Sequence, residues 1–334
     1  MPTEFHEGTD NDNVLSFMLG ENVRGRFARI DKSLSHILSQ HKYPDKVSNL
    51  IAEAILLTVM IGQAVKLKWK LSVQIRGSGS IKLIAVDYFS PKDDGFPVDI
   101  RAYAKFDFQS LDTAIESDDS DLHLFGKGFF AILIDQGAGT EPYQGITPLT
   151  GNSLASCAET YFHQSEQLST AFKIIVGKSD IAGDGGSWRG GGIMLQQLPN
   201  VDISKSFSDG AVIDPNLKRS IASHAIINDD GEHWLRANIL MNTVEELELV
   251  GPQLTPSEVL TRLFHDEYLL MFKSQELRFG CSCSIDKVSR TLSIYSSKDI
   301  QSMITEEGTV TADCQFCGEH YVLNPSQLGF ESEG

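Results

Sequence analysis

Four of the chain's five cysteines fall between residue 279 and residue 334, the last of the sequence. They form two short pairs, Cys281-Ser282-Cys283 and Cys314-Gln315-Phe316-Cys317, the second followed by Gly318. Two pairs of thiols are an economical way to supply a tetrahedral metal, since structural zinc takes a closed set of four protein ligands with sulfurs at about 2.3 Å. In Cys-x-x-Cys-Gly a strand ends at the first cysteine and the turn returns the second to the same ion, with Gly318 free to take backbone angles that a side chain resists. In an extended Cys-x-Cys, residues i and i+2 point to one side, so Cys281 and Cys283 can face the ion together. The same closeness permits a second chemistry. Neighbouring sulfurs can oxidise to a strained disulfide that expels the metal, and strained disulfides are the labile, regulatory kind. Spacing alone leaves open a structural zinc scaffold, a redox-sensitive zinc site, and a thiol-disulfide oxidoreductase working through Cys314 and Cys317.

A segment this small buries little apolar surface, and such modules lean on a metal or a disulfide. A structural zinc supplies about 10–16 kcal/mol of apparent binding energy, which is then folding energy. His320 is the histidine nearest the pairs and is expected outside the ligand set, which four sulfurs complete. Cys157 sits beside Ala155 and Ala158 on a predicted helix and is expected as a buried small hydrophobe.

Other spacings that carry chemistry fail on inspection. Gly177-Lys178-Ser179 follows a predicted strand, but a phosphate-binding loop needs a glycine where Phe172 stands. The glycines from Gly183 to Gly192 lack dinucleotide-binding spacing and read as a mobile hairpin or loop. No Gly-x-Ser-x-Gly elbow and no His-Glu-x-x-His helix occurs, the nine histidines are scattered, and no carboxylate pair stands out.

The whole chain bounds what these residues can serve. Its 334 residues suffice for a sizeable core and two or more domains. Asp and Glu outnumber Lys and Arg by 45 to 28, a net charge of −17, which argues against sequence-independent nucleic-acid binding and against an anionic membrane surface. Glu4, Glu7, Asp10 and Asp12 precede any basic cluster, the reverse of a secretory signal. The apolar run Leu50 to Val65 is interrupted by Glu53, Thr58 and Gln63 and is expected to fall short of the ~20 residues that span a bilayer. A cytoplasmic protein is expected, where clustered cysteines serve as metal ligands or redox sensors rather than permanent disulfides.

The elements that position the cysteines follow from periodicity. Residues 1–13 read as a polar arm and Val14 to Met18 as a strand. Phe27, Ile30, Leu34, Ile37 and Leu38 recur at helical spacing from Gly25 onward. Tyr43-Pro44-Asp45 breaks that helix, and a second, buried helix runs to about Lys66. Period-two alternation then predicts strands over 69–76, 81–89, 100–108 and 129–135. A helix over about 152–167, a strand over 172–176 and a short apolar element over 193–198 follow. Residues 200–216 are turn-rich. About 217–272 reads helical, including 234–249 and a helix opened by the capping box Thr255-Pro256-Ser257-Glu258. Leu277 leads into the first cysteine pair. A helix from Ser297 to near Gly308 and a strand over 309–313 lead into the second.

Several motifs stand in a recognisable order over about residues 14–325. They are Val23-Arg24-Gly25, the Tyr43-Pro44 break, Tyr143-Gln144-Gly145, Tyr161-Phe162-His163-Gln164-Ser165-Glu166-Gln167-Leu168, Gly191-Gly192-Ile193-Met194-Leu195-Gln196, and both cysteine pairs, the second running on through His320 and Tyr321. Together they resemble the 33-kDa chaperonin family of redox-regulated heat-shock chaperones. This chain is longer than is usual for that family, with extra residues at the N-terminus, around 89–97 and around 200–235.

The resemblance implies an α+β protein: a disordered arm (1–13), an N-terminal mixed sheet-and-helix core domain (14–205), a helical linker (206–278) and a small C-terminal zinc-binding redox-switch domain (279–334). It implies a stress-response chaperone rather than an enzyme, holding unfolded or partly unfolded client proteins without ATP, with no nucleic-acid or membrane partner. One Zn2+ would sit on Cys281, Cys283, Cys314 and Cys317 in the reduced state. Oxidation would form the disulfides Cys281–Cys283 and Cys314–Cys317, release the zinc, and unfold the C-terminal domain and linker. The active form implied is a homodimer.

Overall fold

The computed structural model describes residues 11–91, 93, 95–114, 121–178, 186–198 and 230–328. The described residues form two compact units, a larger one reaching Phe279 and a smaller one from Gly280 onward that also takes in Ser39–Lys42. Most of the segment read as an arm (1–10), the turn-rich stretch 200–216 and the helical reading over 217–229 lie outside the described residues.

The larger unit is built on an 11-stranded sheet. Strands β1 (Asn13–Leu19), β2 (Val23–Ile30), β3 (Lys70–Gly77), β4 (Ile81–Phe89), β5 (Val98–Phe106), β6 (Gly128–Asp135), β7 (Tyr143–Pro148), β8 (Thr170–Lys178), β9 (Trp188–Gln197), β10 (Leu269–Met271) and β11 (Gln275–Phe279) enter it. The order is β7-β6-β3-β4-β5-β11-β1-β2-β9-β8, with β10 also pairing β1. Neighbours are antiparallel except β5 and β11, where Leu277, Arg278 and Phe279 run parallel to Val98, Asp99 and Ile100.

Because successive strand residues face opposite sides, the sheet has two apolar faces. On one, Val14, Ala28, Ile30 and Met194 join the main core around α2 (Asp45–Ala64). This helix is long and apolar enough by composition to cross a bilayer, and its full 20 residues exceed the interrupted run expected from sequence; here 78% of its most apolar window is buried inside the unit. It is the helix on which the core is assembled. A short helix α3 (Phe108–Ala114) follows β5; after β7, α4 (Leu154–Tyr161) packs against the same core, opened by a capping box between Ser153 and Ser156. Cys157 on α4 is fully buried, and its thiol donates to the Thr150 carbonyl.

On the opposite face, Phe17, Leu19, Val23, Phe27, Ile193 and Leu195 form a second core with the segment 230–264. That segment folds as α5 (Asp230–Asn242), α6 (Glu246–Val250) and α7 (Pro256–Leu263). The expected capping box is present: the Thr255 hydroxyl accepts from the Glu258 amide, and the Glu258 carboxylate accepts from the Thr255 amide.

The larger unit differs from sequence expectation in several strands. Residues from Gly25 to Ile30 are strand, because Phe27 and Ile30 fit helical spacing only by bridging a strand and the helix α1 (Lys32–Ser39) that follows. Of the glycines read as a mobile hairpin or loop, Gly190, Gly191 and Gly192 lie inside β9, which pairs antiparallel with β8. Edge strand β7, with mostly exposed side chains, carries little alternation signal. After α7 the chain returns to the sheet as β10 and β11.

The smaller unit holds helices α8 (Ile285–Leu292) and α9 (Ser297–Ser302) and the hairpin β12 (Val310–Asp313) and β13 (His320–Leu323). Ser296 rather than Ser297 caps α9, which ends at Ser302, short of Gly308. The buried core of this unit is Ile300, Val310, Leu323 and Leu328. So small a core leaves much of the folding energy to be found elsewhere.

Candidate metal centre and the covered sheet face

Each cysteine of the smaller unit is placed by a local device. Cys314 directly follows β12, and its amide donates to the Glu319 carbonyl at 2.9 Å. The Gly318 amide donates back to the Cys314 carbonyl at 2.8 Å, closing a tight turn with Gly318 at φ +68°. That turn swings Cys317 round beside Cys314, as the Cys-x-x-Cys-Gly spacing predicts. Cys281 and Cys283 follow β11 in chain outside any helix or strand, and Ser284 caps α8 by accepting from the Lys287 amide.

The four sulfurs converge, all within 4.8 Å of one another. Cys281 Sγ lies 3.7 Å from Cys314 Sγ, and Cys283 Sγ lies 3.3 Å from Cys317 Sγ. Four thiolates around one tetrahedral ion at about 2.3 Å would lie about 3.8 Å apart, so the sulfurs need move little to close on a metal. An all-thiolate donor set suits zinc or an iron–sulfur centre and disfavours the hard cations magnesium and calcium. All four cysteines are half-buried.

Burial and mutual crowding disfavour the thiolate form at two of the cysteines. Burial raises the Cys317 thiol well above its ordinary range, and the sulfurs of Cys283, Cys314 and Cys281 raise it further, against an opposing hydrogen bond at Glu319. Burial also raises Cys283, opposed by the Tyr321 hydroxyl and the Cys317 thiol. A bound dication reverses this balance by favouring the thiolate form. His320 is exposed and contacts Asp313 through Nδ1 at 2.6 Å. It stands apart from the sulfur cluster. Tyr321, beside Cys283, carries no sequence signal beyond its place after His320.

A covered apolar sheet face lies in the larger unit. Segment 230–264 covers the apolar sheet face with Ala237, Met241, Val244, Leu249, Val259, Leu260, Leu263 and Phe264. At its centre the two backbones meet directly, for a Cβ added at Gly191 would lie 2.1 Å from the Leu249 carbonyl oxygen. The start of the segment is tied down by His233, whose ring nitrogens lie 2.6 Å from Asn22 Oδ1 and 3.1 Å from Glu267 Oε2. Composition shows that the segment is helical; it does not show that Gly191 is where it sits.

Known proteins resemble the chain along nearly its whole length. The family model described as Hsp33 protein matches residues 12–324. The 33 kDa chaperonin of Caulobacter vibrioides (strain NA1000 / CB15N) is 30% identical over 318 residues, covering 94% of this chain and 95% of that protein. The 33 kDa chaperonin of Serratia proteamaculans (strain 568) is 30% identical over 317 residues, covering 94% and 93%. The crystal structure of a 33 kDa chaperonin (heat shock protein 33 homolog) from Thermotoga maritima matches with a TM-score of 0.71 at 18% identity, covering 95% of this chain and 96% of that one. At that identity the structural likeness speaks for the α+β fold, and the sequence matches speak for kinship: this chain belongs to the Hsp33 protein family.

Proposed function

We propose that this protein is a redox-switched, ATP-independent holdase of the cytoplasm, and that its four-cysteine cluster is the switch. The observation that carries the reading is the convergence of four sulfurs within 4.8 Å in a unit whose buried core is four side chains. Its relatives bear the name chaperonin. In the reduced state Cys281, Cys283, Cys314 and Cys317 hold one Zn2+. The bound ion keeps the sulfurs as thiolates and supplies folding energy to the unit.

Peroxide then takes two electrons from each cysteine pair, forming Cys281–Cys283 and Cys314–Cys317 and leaving as water. Sulfurs joined in disulfides no longer ligate the ion, and the small unit loses what folded it. The consequence reaches the linker (206–278), described here from residue 230, because β11 ends only two residues before Cys281. Helices α5, α6 and α7 have 13, 5 and 8 residues, and isolated helices below about 12–15 residues are marginal in water. They hold their shape by docking, so they belong to the low-stability end of the structure. Their departure bares Phe17, Phe27, Ile193 and Leu195 for unfolding clients, and the oxidised protein works as a homodimer. No nucleic acid or membrane is a partner, and no substrate is turned over. Four sulfurs converging on one point suit a shared metal better than exposure of a Cys-x-x-Cys pair to a substrate disulfide.

The test is peroxide titration with a chromogenic zinc chelator, together with limited proteolysis. Release of one zinc per chain in step with new cleavage between residues 230 and 279 supports the switch. Zinc that stays bound while the thiols are consumed overturns it and leaves a structural zinc scaffold.

A further inference from the structure

Arg29 lies on β2 on the same face as Phe27 and is 1% exposed. Its guanidinium lies 5.6 Å from the Phe27 ring centroid. Nη2 donates to the Glu248 carbonyl at 2.8 Å, Nε to the Leu249 carbonyl at 3.2 Å and Nη1 to the Leu254 carbonyl at 2.8 Å. All three acceptors belong to the last turn of α6 or to the loop before α7.

We propose that Arg29 is the positioning residue that fastens the linker to the sheet and sets how much oxidation is needed to release it; this rests on the holdase reading above.

The physical case has three parts. The last carbonyls of a helix have no partner within it, and α6 is so short that its C-terminal end makes up most of it. A cation there complements the negative end of the helix dipole, and charge-assisted bonds are the strong ones. The apolar contacts around it are non-directional; a planar fork that must meet three carbonyls at once fixes one docked position.

The surroundings are shaped for this contact. A Cβ added at Gly251, which has φ +70°, would lie 2.7 Å from Arg29 Nη1, and one added at Gly191 would strike the Leu249 carbonyl. Linker backbone and sheet therefore meet without a side chain between them, and the guanidinium occupies the polar centre of the contact. When the linker leaves, water can serve the same carbonyls. Removing the guanidinium while the linker stays docked strands them instead, so the change weighs on the docked state and leaves the cysteines untouched.

The test uses the reduced, zinc-loaded full chain with Arg29→Met, which keeps bulk without donors, and Arg29→Lys, which keeps the charge but cannot reach three carbonyls at once. Hydrogen exchange followed by mass spectrometry should show amides of 246–263 exchanging about tenfold faster or more in R29M and by an intermediate factor in R29K. Exchange in α2 and zinc content should be unchanged, and the peroxide concentration for half-maximal client protection should fall. R29K also keeps the test open if R29M does not fold. Unchanged exchange over 246–263, or equal acceleration in α2, overturns the anchor. Faster linker exchange with an unchanged peroxide requirement overturns the claim that Arg29 sets that requirement, whereas failure of the oxidised wild type to protect any client overturns the holdase reading itself.

Discussion

Cys281 Sγ stands 3.7 Å from Cys314 Sγ although 33 residues separate them in sequence. Such an encounter joins both ends of the small unit at one point, so losing either thiol should undo the whole. Cys283→Ser should lower bound zinc from one per chain to near zero and leave residues 280–328 open to protease while the larger unit stays resistant. A tail that resists protease as before contradicts the claim that metal binding folds it.

The pairing of disulfides is a separate prediction. Sulfurs around one tetrahedral ion are nearly equidistant, so distance does not select partners; once the unit loosens, short chain separation does. Peptide mapping after peroxide treatment should find Cys281–Cys283 and Cys314–Cys317. A dominant Cys281–Cys314 or Cys283–Cys317 link would show that oxidation traps the folded cluster rather than its unfolding product.

The linker's docking can be weakened without touching a cysteine. Leu260 on α7 is fully buried in the second core. Leu260→Ala removes apolar contact at a cost of about 2–5 kcal/mol, all of it borne by the docked state. Gly191→Ala should act more locally, because its methyl group strikes the Leu249 carbonyl while β9 itself tolerates alanine. Both variants should bind an apolar dye when reduced and need less peroxide for full client protection. Wild-type behaviour of both would contradict a linker held chiefly by this face.

Glu53 gives the larger unit a pH dependence. Its carboxylate, on α2, accepts from the Ala155 amide at the start of α4 at 3.1 Å, and burial pushes its pKa up to about 7 in spite of that bond. An acid with a raised folded pKa contributes its full stability below the unfolded value, near 4.5, and loses it as pH rises toward 7. Across that window the loss approaches about 3 kcal/mol. Glu53→Gln should flatten the pH dependence of unfolding between about pH 4.5 and 7 and raise stability above it. An unchanged slope would mean that Glu53 ionises in the fold as it does in the unfolded chain.

Each half of the metal cluster is legible in sequence because it is local: a tight turn brings Cys317 to Cys314, and one residue separates Cys281 from Cys283. Helix α2 is legible because it is apolar on nearly every side. The strand containing Gly190, Gly191 and Gly192 is not, since glycine carries no hydrophobic signal. Only the fold shows that Cβ atoms there would meet Leu56 at 2.8 Å, the Leu249 carbonyl at 2.1 Å and Met60 at 3.0 Å. Arg29 is hidden for a related reason, because its Leu249 partner is 220 residues away and a lone arginine in a periodic stretch reads as a solvated side chain. The returning strands β10 and β11 are short and take their identity from β1 and β5, not from their own alternation.

Aggregation of a heat-unfolding client, followed by light scattering, tests the central claim most directly, with the protein either reduced and zinc-loaded or peroxide-treated and zinc-free. Suppression by the oxidised protein alone, reversed on adding reductant, is the predicted result. Equal suppression by both forms, or by neither, would contradict a chaperone controlled by its four cysteines.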